Sequence, residues 1–527
     1  MKKLLSMLLA CVLAFSLLAA CGSSGDPDPA APADNVEVDD FADDVTDPVD
    51  DVTVTDPGDD VDPVGDIELN AVEISYQLIG WGSPGDAAMA ELSGKVNERL
   101  AELGKPYTVK LVFAEGGDYN QTTNLMLSSG ANEFDIIFIA NWAASYFANA
   151  AAGYLTDLGP YLAKYPEIEN ILTADFMNAS QVNGINYALP TNKEKARQLG
   201  WVLRQDIVDA LELDLAAIEA LPYDQRLAAL EPYFYRAKEE HNLWVYPIFV
   251  PSDYQFDRII EPIIMSRAEP GSTTALVADL EPEFIDAVKL NSKWFVDGLI
   301  NPNLNNTSSG DTEFITGQYF GIPYQLKPGK DKELEPQVGY ELVQIAMNEP
   351  EIANSETSGA MVAIPIGAAN KDEAFDFINL MYTDVILLNT IIYGKEGVDF
   401  EFVGDGIIEI TGGGGHGQSW TMGDQFKTYL LSSEAPDKWE QFVAFNESGH
   451  PMPLLGFVPN TDSTDIQTWK AGMDAVRENY GDLFRGYTAP ENVDAEFERL
   501  RSDYEAAGMN ELLAEMQSQI DAWLATQ

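Results

Sequence analysis

The sequence predicts an α/β fold built around a parallel sheet, and three observations at the start of its folded body carry that expectation. Val72, Ile74, Tyr76 and Leu78 alternate with polar residues, so 72–79 reads as a strand with one buried face. Met89, Leu92, Val96, Leu100 and Leu103 follow at helical spacing. Phe134–Ala140 is an unbroken apolar run, the pattern of a strand covered on both faces. Strands that alternate with helices in this way pair in parallel.

The elements follow in order. Ser83-Pro84 offers an N-cap and a first-turn proline, which places a helix over 84–103. Val109–Phe113 is a second strand, and Tyr119–Ser129 a second helix ended by Gly130. In parallel sheets ligands bind beyond the carboxyl ends of the strands. Those ends carry Gly80-Trp81-Gly82-Ser83 and Asn141-Trp142. Near the C-terminus, Val493, Phe497, Leu500 and Tyr504 share one helical face. Met509, Leu513, Met516, Ile520 and Trp523 share another beyond Gly508.

Composition narrows the function. The chain has 527 residues, enough for two or three cored domains, and a formal net charge of −56. That acidity argues against a nucleic-acid partner. The two cysteines, Cys11 and Cys21, both precede the body, so no disulfide, thiolate metal site or cysteine nucleophile is expected there. His241, His416 and His450 are too scattered for a zinc enzyme. Gly80, Gly82 and Gly85 form a GxGxxG, but Pro84 removes an N–H that a pyrophosphate would need, and Glu115 lies too far along to hold a ribose. No cofactor and no metal are expected.

The N-terminus reads as an export signal: Lys2 and Lys3, an apolar core from Leu4 to Leu18, then small residues. Leu18-Ala19-Ala20-Cys21 resembles the bacterial lipobox, which implies lipid on Cys21 as the first mature residue and a membrane-anchored, extracytoplasmic protein. Residues 22–66 lack Lys and Arg and are rich in Asp, Pro and Val, a composition expected to form a disordered tether.

Several stretches of the body resemble bacterial extracellular solute-binding proteins of the maltodextrin-binding-like class. They are Gly153-Tyr154-Leu155-Thr156-Asp157-Leu158, Asn183–Pro190, Trp201–Asp206, and Ala368–Ala374 with Phe377. Tyr393–Gly397, Ser419–Phe426, Gly456-Phe457 and Glu515–Gln519 are similar to the LipO-like lipoproteins with a distinctive C-terminal domain. The resemblance implies a two-lobed periplasmic-binding-protein-like α/β fold with a ligand cleft between the lobes and a helical C-terminal part. It places lobe one at 67–188 plus 358–405, and lobe two at 189–357 plus 406–527. It implies a monomeric ABC-importer receptor, without enzyme activity, that closes by a hinge on a solute and docks on a permease.

A sugar receptor needs aromatic faces for C–H surfaces and polar groups for hydroxyls. The candidates are Trp81, Tyr119, Asn141, Trp142, Tyr187, Trp201, Arg204, Tyr324 and Trp420. Trp244, Trp294, Trp439 and Trp469 read as core, and His416, inside a glycine run, as an exposed loop residue. A peptide or another solute would suit the same fold. A secreted glycoside hydrolase is the enzyme alternative, since it needs only two suitably placed carboxylates.

Overall fold

The computed structural model describes residues 72–527, apart from Ser83, Asn132, 249–255, 261–263, 268–270, 305–309, Asp462 and Gln527. The export signal, Cys21 and the acidic tether lie outside the described residues.

The chain runs through β1 (Val72–Gly80), β2 (Tyr107–Glu115), β3 (Ile136–Ile139) and β4 (Ala188–Pro190), then leaves for a second sheet. There it forms β5 (Gln198–Arg204) and β6 (Trp244–Val245), a ribbon of β7 (Phe256–Ile260), β8 (Ile264–Arg267) and β9 (Leu276–Val277), and then β10 (Tyr319–Leu326) and β11 (Leu342–Ala346). It returns through β12 (Glu351–Ile352) to β13 (Met361–Ala363). Short strands β14 (Phe400–Gly404), β15 (Ile407–Ile410), β16 (Leu430–Leu431) and β17 (His450–Pro451) follow.

Lobe one is built on the order β2-β1-β3-β13-β4. β1 pairs in parallel with β2 and β3, as the alternating pattern predicts, while the returning β13 is antiparallel to both of its neighbours. Helices Asp86–Glu102, Lys371–Thr383 and Val385–Tyr393 cover the sheet, and Val96, Phe377 and Leu388 are fully buried against it. The first helix starts at Asp86 with Gly85 as its N-cap residue, two residues later than Pro84 predicts.

Lobe two is the sheet β11-β5-β10-β6. Trp201 on the central β5 packs there against Phe234 and Trp294 from helices Tyr223–His241 and Pro282–Val296. A further core joins the β7–β9 ribbon to helices Thr464–Asn479, Val493–Ala506 and Met509–Leu524. Inside it Arg477 Nε and Tyr504 Oη both donate to the buried Asp279 carboxylate, at 2.8 and 2.7 Å. The two C-terminal helical faces are packing stripes, as their spacing predicts.

One boundary differs from expectation. Residues 406–431 were assigned to lobe two, yet Met422 is part of the lobe-one core and Trp420 packs on its sheet. Asn192 N donates to Gly423 O at 2.9 Å, and Asp424 N to Met381 O at 3.2 Å, so the segment folds back onto lobe one.

The first two crossings between lobes touch. Arg197 N donates to Glu351 O at 2.7 Å, and Glu351 N to Arg197 O at 2.8 Å, an isolated antiparallel bridge. Arg197 Nη2 lies 3.5 Å from Glu351 Oε2 and donates to Phe256 O at 3.0 Å. Asp257, 1% exposed, shares this interior. Burial pushes the Asp257 carboxyl up to about 6 and that of Glu351 up to about 7, in both cases against the pull of Arg197. One guanidinium does not compensate two desolvated carboxylates. Both groups bind protons more tightly folded than unfolded. Their stabilising contribution is therefore full below the unfolded carboxylate range and is lost as pH rises through about 6 to 7. Urea unfolding should show stability falling between pH 5 and pH 8, with a shallower fall in Glu351→Gln. Equal slopes in the two proteins would contradict this origin.

Candidate functional site

The carboxyl ends of β1 and β3 deliver Trp81 and Trp142 to one edge of lobe one, and the excursion through Ser419–Thr421 brings Trp420 beside them. The three indoles pack mutually. Trp81 lies 6.3 Å from Trp142 and 6.0 Å from Trp420, with interplanar angles of 23° and 29°, and Trp142 lies 6.2 Å from Trp420. Trp81 remains 53% and Trp142 47% exposed. An exposed cluster of this size offers apolar faces to a partner rather than to the core.

The cluster is held from beneath. Phe138, on β3 and fully buried, lies 5.9 Å from both Trp142 and Trp420. Tyr119 packs 6.1 Å from Phe138, and its hydroxyl donates to Phe138 O at 2.7 Å. Trp142 Nε1 donates to Gly359 O, and Trp420 Nε1 to Gln418 Oε1, both at 2.8 Å. Trp81 lies flat on Gly116, where an added Cβ would come within 2.7 Å of the indole. The nonpolar faces are thus fixed by hydrogen bonds at the indole edges.

Beside Trp142 opens a cavity of about 390 Å³, walled by Asn141, Trp142 and Ser145 of lobe one and facing Arg258, Asn354 and Lys470. Asn141 shapes its rim: Asn141 N donates to Ser358 O at 3.0 Å, and Asn141 Oδ1 accepts from Trp142 N at 2.9 Å. Ala144 and Ser145 at this rim hold positive φ of 53° and 45°, a strained turn of the kind found at ligand sites. Asn354 bonds across to the C-terminal part, its amide donating to Leu454 O at 3.0 Å and to Phe457 O at 3.1 Å. Among the described residues no Asp or Glu lines the cavity.

The predicted site residues divide. Trp81, Trp142 and Trp420 come together, with Asn141 at the same rim. Tyr119, 1% exposed, lies beneath them and acts through Phe138 rather than as a contact surface. Tyr187 is half-buried in the lobe-one core, its backbone N–H 3.4 Å from Tyr146 Oη, and does not line the cavity. Trp201 is a correction: it is 2% exposed in the core of lobe two. Arg204 is another. Its guanidinium pairs with Asp206 at 2.7 Å, donates to Gly317 O and lies 4.9 Å over the Tyr340 ring, a structural role in lobe two. Tyr324 sits on β10 of lobe two, with the Lys330 ammonium 5.0 Å from its ring, and does not line this cavity.

His416 also departs from expectation. It is wedged edge-on to Phe113 at 6.3 Å, and burial pushes its imidazole down to about 4, so it is neutral at physiological pH. Sequence reasoning missed Arg258, Asn354 and Lys470. No local pattern marks them, because strand pairing and helix packing bring them to the cavity.

The comparisons with known proteins agree with this architecture. Residues 83–251 match the bacterial extracellular solute-binding protein family, and residues 453–525 match a domain of unknown function. A carbohydrate ABC transporter substrate-binding protein of Streptococcus pneumoniae serotype 4 (strain ATCC BAA-334 / TIGR4) is 24% identical over 424 residues, covering 77% of this chain and 83% of that protein. The crystal structure of the N-glycan transport solute binding protein NgtS of Streptococcus pneumoniae superposes with a TM-score of 0.73 at 22% identity, over 86% of this chain and 99% of that one. The same protein in complex with Man5GlcNAc gives 0.66, at the same identity and coverage. These similar proteins are described as solute-binding proteins.

The division of the tryptophans has a measurable consequence. Trp201→Ala should cost about 3–5 kcal/mol in urea unfolding, because it empties a core. Trp142→Ala should cost about 1 kcal/mol, mainly one indole hydrogen bond. Equal costs would place Trp142 in the core as well. Residues 83–251 are similar in sequence to the bacterial extracellular solute-binding proteins, and the two-lobed fold is similar to that of NgtS.

Proposed function

We propose that the chain is the oligosaccharide receptor of an ABC importer, held at the extracytoplasmic face of the membrane by lipid on Cys21. The observation that carries the carbohydrate reading is the stack of half-exposed Trp81 and Trp142 with partly buried Trp420, beside a cavity whose polar lining is amides, hydroxyls, Arg258 and Lys470. Pyranose rings present apolar C–H faces that stack on indoles, and their hydroxyls need partners once buried. Asn141, Ser145, Asn354 and Ser355 supply such groups at the cavity wall. The names of the similar proteins, a carbohydrate receptor and one crystallised with Man5GlcNAc, support the same substrate class.

The cavity has walls from lobe one and from the segments beyond the crossings, so a bound sugar would touch both sides at once. A ligand that prefers the closed arrangement shifts the hinge toward it. The closed form would then be the one a permease recognises.

Two experiments test this reading. Thermal unfolding against a panel of neutral oligosaccharides, including Man5GlcNAc, and of short peptides should show a shift with a saccharide and intact ligand afterwards. At a hundred times the dissociation constant the ligand adds about 2.7 kcal/mol. Trp142→Ala should weaken that binding about tenfold or more. A shift only with peptides would change the substrate class, and conversion of the sugar to shorter products would favour a hydrolase. For the anchor, Cys21→Ser should move the protein from the membrane to the soluble fraction; unchanged membrane association would contradict lipidation there.

A further inference from the structure

The cavity beside Trp142 does not end at its own walls. Phe147, Ala148, Val458, Pro459 and Thr461 line it, and the same five residues line a second cavity of about 630 Å³. That second cavity runs between the Asn178–Gly184 turn of lobe one and the C-terminal segment, where Trp523 joins its wall. The two spaces meet along one strip of wall, and each has the volume of a small-ligand site.

The chemistry of the second cavity is distinct. In a chain with 86 acidic and 30 basic residues, none of the described side chains lining it is charged. Its polar groups are amides and hydroxyls: Asn178, Gln181, Asn183, Asn460, Thr461 and Thr526. The walls are built rather than incidental. Val182 and Ile185 close the turn by a pair of backbone bonds of 2.9 and 3.1 Å, with Asn183 at a φ of 53°. Gln519 ties down the other side, its amide accepting from Asn460 N at 2.8 Å and donating to Asn460 O at 3.0 Å. The side-chain amides of Asn178 and Asn183 make no hydrogen bond among the described residues, while both line the cavity.

We propose that this second cavity is a distal subsite of the same receptor, taking neutral, hydroxyl-rich units of an oligosaccharide whose leading unit lies against Trp142. The inference rests on the carbohydrate reading and deepens it. Amides both donate and accept, which suits sugar hydroxyls, and no cation among the described lining residues offers a counter-ion to a uronic or sialic acid. The ligand class is therefore an oligosaccharide with neutral distal units, long or branched enough to round the Phe147 strip. Short saccharides occupy the Trp142 end alone.

Calorimetric titration of the full chain with two probes tests this, using the mannosyl-N-acetylglucosamine disaccharide and Man5GlcNAc. A double variant, Asn178→Ala with Asn183→Gly, removes the two amides, glycine being chosen for the positive φ. A second variant, Ala151→Trp, fills the distal cavity without touching the Trp142 end. The double variant should weaken Man5GlcNAc about tenfold and leave the disaccharide unchanged, and Ala151→Trp should bring Man5GlcNAc down to the disaccharide's affinity. Unchanged Man5GlcNAc binding in both variants, with Trp142→Ala weakening both probes, would overturn the distal subsite and leave the cleft reading standing. Failure of the unaltered chain to bind either probe or any other neutral oligosaccharide would overturn the carbohydrate reading and the subsite together.

Discussion

The bridge between Arg197 and Glu351 is the constraint on which the rest of the architecture turns. β13 is inserted between β3 and β4, so the chain that left lobe one after β4 must come back to complete the first sheet. Leaving and returning segments meet at Arg197 and Glu351, joined by two backbone hydrogen bonds and a buried guanidinium. Asn446 fixes the outgoing segment further, its side-chain oxygen accepting from Lys195 N at 2.8 Å and its amide donating to Lys193 O at 3.1 Å. β17 pairs with β12 on the return segment, through His450 opposite Glu351. The junction is thus cross-braced by backbone and side-chain hydrogen bonds.

The tryptophan platform depends on that topology. Trp81 and Trp142 are placed by parallel strands of lobe one, but Trp420 comes from a segment more than fifty residues beyond β13. It reaches the site because His416 N and Gly417 N donate to Ile391 O and Ile392 O of helix Val385–Tyr393, both at 2.8 Å. An added Cβ at Gly414 would collide with the Asp399 carboxylate, and one at Gly415 with the Ile392 carbonyl. The glycine run is therefore a close-packing device. Leaving Trp81 and Trp142 half-open to water forgoes burial that a core would gain, at about 25 cal/mol per Å². A ligand that covers them would recover that free energy.

Much of lobe one was legible because its signals are local. Alternation located β1, and an unbroken apolar run located β3, while loop chemistry at the strand ends pointed to Trp81, Asn141 and Trp142. Trp201 was not separable by the same reasoning. It lies on β5 between Pro323 of β10 and Ile345 of β11, and only that register turns its indole toward Phe234 and Trp294. Arg204 looks like a ligand contact in isolation, yet its partner Asp206 is two residues away. The resemblance places residues 406–431 in lobe two, whereas here glycines permit the backbone contact that returns the segment to lobe one. Arg258, Asn354 and Lys470 converge from three distant segments, a placement decided by tertiary packing alone.

The central claim is that a saccharide laid on the tryptophan platform draws the two lobes together about the Arg197–Glu351 bridge. Small-angle scattering of the chain, with and without saturating Man5GlcNAc, tests it most directly. The account expects a smaller radius of gyration with ligand, and the same decrease absent when Trp142 is replaced by alanine. An unchanged radius at demonstrated saturation would contradict closure on the ligand.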